Sequence, residues 1–187
     1  MTTIGFHGTT AKAASSIRQD NKFKYSKENA GIRGSGVYFW EGIPEFDDIC
    51  INFALQWPKN QKLEKPYECI KAEITVEDKN FISLDDKEVK SSFMQICKQH
   101  SFKPENFAGN KKGFDEYLIK IGQIYNILFD KLNKNGIEIF VCRCNIPLAN
   151  NMNCYKWSMG NPTSLLIRKL DCINILAYIK ETEVQND

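Results

Sequence analysis

What the chain lacks narrows the choices first. Only two histidines, His7 and His100, occur in 187 residues, and no paired CxxC motifs accompany them. A zinc site built from Cys142, Cys144 and Cys154 would therefore lack its usual complement of ligands, and no metal is expected. The opening MTTIGFHGTT has neither the cationic start nor the apolar run of a secretion signal, and no stretch approaches the roughly 18 apolar residues of a membrane span. A cytoplasmic protein without a membrane partner is the expectation. The seven cysteines are odd in number and fall mostly inside apolar patterns, which reads as buried thiols in a reducing compartment rather than a disulfide framework. Excess charge is missing too: 25 basic against 23 acidic residues leave a net charge of +2, too little for a long-range field that steers nucleic acid. The lysines at 59, 62 and 65 read first as solvated surface and second as a phosphate track.

What is present describes one globular domain over 1–187. At 42% hydrophobic and 26% charged, composition is ordinary, and the length allows one sizeable core. A short apolar strand from Thr3 to Phe6 is expected to stop at His7, with Thr9 or Thr10 capping a helix that turns Ala13, Ala14 and Ile17 inward. A polar, glycine-punctuated loop over 20–35 leads to a strand from Val37 to Trp40. Asp47 or Asp48 then caps a helix carrying Ile49, Phe53 and Trp57 on one face, which Pro58 is expected to end. Alternation from Cys69 to Val76 predicts a half-buried strand, followed by a short strand from Phe81 to Leu84. Amphipathic helices follow over Val89–His100 and Phe114–Asn133, the second closed by Gly136. Strands are expected at Ile137–Cys144, Ser164–Arg168 and Ile173–Lys180. Strands at both ends with helices between predict an α+β domain.

Two motifs carry possible chemistry. His7-Gly8-Thr9 stands where a strand gives way to a helix, so backbone amides and a residue without a side chain can approach a ligand closely. Alone, the triplet reads first as a capped helix with a hydrogen-bonded histidine. Gly34-Ser35-Gly36-Val37-Tyr38-Phe39-Trp40 puts glycines directly before an aromatic strand, where a flat ligand can lie against a ring, although such a strand is more often core.

Together and in this order, with Ala54 and Trp57 as a small residue and a second aromatic on the next helix, these motifs resemble the ADP-ribosyltransferase superfamily. The likeness is to its poly(ADP-ribose)-polymerase-like, diphtheria-toxin-like branch. It is closer still to bacterial proteins of that superfamily with a glycine-x-glycine-x-tyrosine-phenylalanine-tryptophan-glutamate block, here Gly34 to Glu41, and a late segment like Ile167 to Ile173. Both ends of the chain take part, whereas residues 85–135 match only in being helical. The resemblance implies two packed antiparallel sheets with flanking helices and an NAD+ cleft between them. It implies that the Gly8 backbone holds the nicotinamide carboxamide, that His7 and Thr9 bind the adenosine-side ribose, and that Tyr38 and Trp57 sandwich the nicotinamide ring. Gly36, Phe39 and Ala54 complete the implied NAD+ site. Stacking a cationic ring between two aromatic faces is worth on the order of 1–2 kcal/mol.

At the position where active members carry a glutamate that stabilises the oxocarbenium-like transition state, this chain has Ser164. A hydroxyl can hold a ribose but brings no negative charge. Glu41 is the first candidate for a substitute carboxylate, ahead of Glu138 and Glu116. Three functions follow: a transferase of ADP-ribose from NAD+ to a protein or nucleic acid, in the manner of toxins and phage-defence effectors; an inactive NAD+ or ADP-ribose-binding module; and an RNA 2'-phosphotransferase. The last needs paired arginines and a second histidine, for which the chain offers Arg18, Arg33, Arg143, Arg168 and His100.

Overall fold

A computed structural model describes residues 1–25, 31–103, 111–146 and 162–184, with the side chains of 111–115 left aside. The order is β1 (Thr2–Thr10), α1 (Ala11–Asp20), β2 (Val37–Glu41), α2 (Asp47–Asn60), β3 (Tyr67–Thr75), β4 (Phe81–Ser83), α3 (Lys87–Gln99), α4 (Lys111–Lys134), β5 (Val141–Asn145), β6 (Thr163–Ile167), β7 (Ile173–Lys180) and a single turn, α5 (Glu181–Val184). The α+β class is as expected.

Two packed sheets are not what forms. The seven strands join one mixed sheet in the order β4-β5-β6-β2-β1-β3-β7, parallel only between β4 and β5. Its seams are unequal. β1 pairs with β3 at nine successive positions, from Thr2↔Thr75 to Thr10↔Tyr67. It pairs with β2 at only two, Gly5↔Glu41 and Phe6↔Trp40. Beyond Phe6 the two strands part, so the sheet is closed at one end of this seam and open at the other.

Both faces of the sheet are covered. One bears Phe6, Trp40, Cys69, Cys142, Cys144 and Leu166 with α2 residues Phe53 and Ala54. The other bears Val37, Phe39, Ile70, Ala72, Ile74 and Leu165 with Ala14 of α1 and Phe23. A third cluster, Ile96, Cys97, Ile124 and Leu128, joins α3 to α4.

Several boundaries differ from expectation for identifiable reasons. β1 runs through His7-Gly8-Thr9 because β3 continues to pair with it, and Thr10 is the helix cap, its hydroxyl accepting from the Ala13 amide at 3.2 Å. α2 is capped at Phe46, with Asp47 and Asp48 already in its first turn, where they oppose the positive end of the helix dipole. Pro58 does not end α2 but lies inside it. Proline has no N–H to give to the carbonyl four residues back, and that carbonyl belongs to Ala54. Residues 137–140 stay outside β5, with the Phe140 amide bonded sideways to the Asn80 carbonyl at 2.9 Å. Gly136 does close α4: at φ +82° it is followed by an Ile137 amide that bonds back to Leu132 at 3.0 Å.

Candidate functional site

The parting of β1 and β2 opens a cavity of about 1080 Å3, which reaches from α2 through the seam to α1. That volume sits at the upper end of the usual range for small-molecule and cofactor sites. His7, Gly8, Thr9, Gly36, Tyr38, Phe39, Trp57 and Ser164 all line it. Residues far apart in sequence thus meet because two strands fail to pair.

Strand alternation fixes which backbone groups face the opening. The Ile4 carbonyl accepts from the Gly42 amide at 2.7 Å on the β2 side. With a period of two, Phe6 and Gly8 turn their amide and carbonyl the same way. Phe6 meets Trp40 there; Gly8 has no paired residue on β2. The other side of Gly8 admits no side chain, since a Cβ would fall 1.7 Å from the Ala54 carbonyl oxygen. The oxygen that Pro58 leaves without a helical donor is the one against which Gly8 packs, a close approach suited to a weak Cα–H···O contact. Ala54 itself is fully buried and lies outside the cavity lining, so its part is to bring α2 onto β1 rather than to touch a ligand.

His7 bridges the opening. Its Nδ1 donates to the Tyr38 carbonyl at 2.8 Å, and its ring packs between Phe23, edge-on at 5.2 Å, and Phe39 at 5.4 Å. A carbonyl can only accept, so the proton is on Nδ1. Burial holds the imidazole below its ordinary pKa of 6.5, a shift that the Tyr38 bond partly opposes. The ring is therefore neutral near pH 7 and offers Nε2 as an acceptor for a ligand hydroxyl. Phe39, 1% exposed, works through His7 and Phe23.

Tyr38 is anchored at its far end. Its hydroxyl donates to the Gly34 carbonyl at 2.7 Å and accepts from the Arg33 amide at 3.0 Å. A Cβ on Gly31 would lie 2.6 Å from the ring, so that turn packs directly on the phenol. Burial pushes its pKa far above the ordinary tyrosine range, which keeps it neutral. Trp57, in contrast, is 43% exposed at the cavity rim.

Ser164 is 1% exposed on β6, between Trp40 of β2 and Cys144 of β5. Ser164 is among the residues that line the cavity, and its buried hydroxyl has no hydrogen-bond partner. A buried hydroxyl in that state costs about 1–3 kcal/mol, which a ligand hydroxyl would recover.

Glu41 does not join this group. It lies at the closed end of the seam, where its carboxylate pairs with Arg143 and stays outside the cavity lining. Glu116 and Glu138 are exposed and also outside it. Among the described residues no carboxylate lines the cavity. Arg18, Arg33, Arg143 and Arg168 do not line it either, and His100 is the exposed C-cap of α3.

Sequence reasoning missed part of the wall: Gln56, Asn60 and Gln61 of α2 and its end, Lys12 of α1, Phe23 after α1, and Leu118 and Ile119 of α4. Gln56 and Asn60 flank Trp57 by about one helical turn or less, which was the available signal. No comparable signal exists for α4. Burial raises the thiol pKa of each described cysteine, with Cys69 and Cys144 both pushed up to about 12, which disfavours the nucleophilic thiolate. Among the described residues no group of three or more histidine, cysteine, aspartate or glutamate side chains could hold a metal, and Cys154 lies outside them. No helix of the described residues is long and apolar enough to cross a membrane.

Compared with protein-family models and with curated proteins, the chain matches none. A solved structure described as an anti-CRISPR protein aligns over 96% of both chains at 12% identity and a TM-score of 0.37. That degree of likeness defines neither a shared fold nor a shared activity.

Proposed function

We propose that the protein is an ADP-ribosyltransferase that takes NAD+ into the opening between β1 and β2 and passes ADP-ribose to a macromolecular acceptor. The observation that carries this reading is the convergence of His7, Gly8, Thr9, Tyr38, Trp57 and Ser164 on one cavity, the residues to which the sequence resemblance gives parts in NAD+ binding. The residues present suit the dinucleotide. The Gly8 amide and carbonyl together match a carboxamide, which both donates and accepts. Neutral His7 presents an acceptor at Nε2 for a ribose hydroxyl, and the unpartnered Ser164 hydroxyl suits a second one. Tyr38 and the exposed face of Trp57 supply aromatic surface for a cationic ring.

NAD+ supplies a C–N glycosidic bond whose cleavage releases nicotinamide with the bonding electrons. This chain's part is to hold the carboxamide at Gly8, fix the ribose at Ser164 and keep water from the reacting carbon with Tyr38 and Trp57. An acceptor nucleophile then takes the ribosyl carbon and gives up a proton. Because no carboxylate lines the described cavity, charge stabilisation would have to come from the acceptor, and each tenfold of rate is worth 1.36 kcal/mol.

The same absence favours a second reading, binding of NAD+ or ADP-ribosyl groups without turnover. Titration with NAD+ while free nicotinamide is assayed, with lysate protein and RNA as acceptors and a labelled adenylate, separates the two. Label in a macromolecule supports the transferase. Saturable binding with no nicotinamide released supports the module, and no binding removes both. The 2'-phosphotransferase reading lacks arginines at the cavity, and failure to remove a 2'-phosphate from spliced RNA would dispose of it.

A further inference from the structure

Beyond the cavity mouth, the end of α2 and the segment that follows form a basic ledge. Lys59, Lys62 and Lys65 are all exposed, Glu64 is the only acid between Gln56 and Tyr67, and no ion pair among the described residues engages the three lysines. Four hydrogen bonds hold the ledge in shape: Lys62 N–H to Lys59 at 3.0 Å, Leu63 N–H to Pro58 at 3.0 Å, the Tyr67 hydroxyl to the Leu63 carbonyl at 2.8 Å, and the Ala11 amide to the Pro66 carbonyl at 2.8 Å. The last of these ties the ledge to the start of α1.

The ledge is continuous with the cavity. Asn60 and Gln61 belong to both, and Trp57 stands at the boundary, lining the cavity while 43% exposed. Exposed positive charge on a fixed backbone, a bare indole and neighbouring amides are complementary to one kind of partner. Phosphates pair with the lysines, an unstacked base lies on the indole, and the amides meet base edges. A purely acidic peptide such as polyglutamate would satisfy the lysines but brings no flat ring to the indole.

We infer that this ledge docks a single-stranded nucleic acid and delivers one of its nucleotides to the cavity mouth, so that the acceptor is RNA or DNA rather than protein. Only the word acceptor rests on the transferase reading; docking of the strand does not. The nearly neutral whole-chain charge conceals the ledge because acids elsewhere, such as Glu73, Glu77 and Asp78, balance it.

The test uses the full chain and short fluorescein-labelled mixed-sequence RNA and DNA oligonucleotides, read by anisotropy without NAD+ over a range of salt. Binding of either strand is expected, with affinity falling at a log–log slope of about −2 if the three lysines each neutralise one phosphate. The variant K59Q/K62Q/K65Q should flatten that slope and weaken binding about tenfold at low salt. Its NAD+ titration, followed separately, should match the parent's, because none of the three residues lines the cavity. The arginine triple K59R/K62R/K65R should restore binding, and equal unfolding midpoints identify the loss as one of charge. Absence of oligonucleotide binding, an unchanged slope in the glutamine variant, or equally tight binding of a polyglutamate peptide overturns the inference. Failure of NAD+ titration with retained oligonucleotide binding would overturn the transferase reading instead.

Discussion

The two seams of β1 differ sharply. Toward β3, nine paired positions run without interruption, and β3 residues along it, such as Ile70 opposite His7 and Ala72 opposite Gly5, are fully buried. Toward β2, pairing stops after two positions, and beyond it stand the His7 ring and the backbone groups of Gly8 and Tyr38, all residues that line the cavity. The closed seam fixes the position of the strand; the open one gives it something to bind. A sheet can host a ligand among its own strands only if one seam is sacrificed, and here the neighbouring seam supplies the rigidity.

Several changes would break or sharpen that contrast. The largest effect is expected from Gly8→Ala, because the added methyl lands on the Ala54 carbonyl and forces α2 off β1; denaturant unfolding should show a loss of about 3 kcal/mol. Trp57→Ala should cost about tenfold in NAD+ affinity by calorimetry with little change in stability, since an exposed indole contributes stacking more than core packing. Tyr38→Phe keeps the ring but removes both hydroxyl bonds to the 33–34 turn, so unfolding free energy should drop by about 1–2 kcal/mol while NAD+ still binds. Ser164→Ala should leave the free protein as stable or up to about 1 kcal/mol more stable, yet weaken NAD+ binding, because the hydroxyl has no partner until a ligand arrives.

The smallest effect is a pH dependence at His7. Its folded pKa lies below the ordinary 6.5, so the unfolded chain binds that proton more readily. The stability from neutral His7 is complete above 6.5 and is lost as pH falls through the lowered folded value. Melting temperatures of the parent and His7→Gln should differ most above pH 6.5, where neutral His7 stabilises the parent, and draw together on the acid side.

Much of this was legible along the chain. Alternation over residues 69–76 and apolar spacing over 114–133 depend on near neighbours, so β3 and α4 were recoverable within a few residues. His7-Gly8-Thr9 and the glycine-tyrosine block were recognisable as a pair, and both line the cavity. Pro58 misled because a missing N–H is tolerated when the orphaned carbonyl faces a glycine on another strand. Glu41 misled because closeness in sequence to Tyr38 says nothing about which end of a seam a residue occupies, and Arg143 holds its carboxylate away from the cavity.

The sequence by itself determined the α+β class, the identity of most strands and helices, and the chemical types available to a binding site, because these rest on local periodicity and composition. Only the tertiary structure decided that the strands form one sheet, that β1 and β2 part beyond Phe6, and that Ser164 on β6 is left with a buried, unpartnered hydroxyl. Those outcomes depend on pairing and packing between residues more than thirty positions apart, such as the His7 bond to Tyr38 and the Trp40↔Ser164 register, where loop closure and side-chain volume choose among partners that no local pattern ranks.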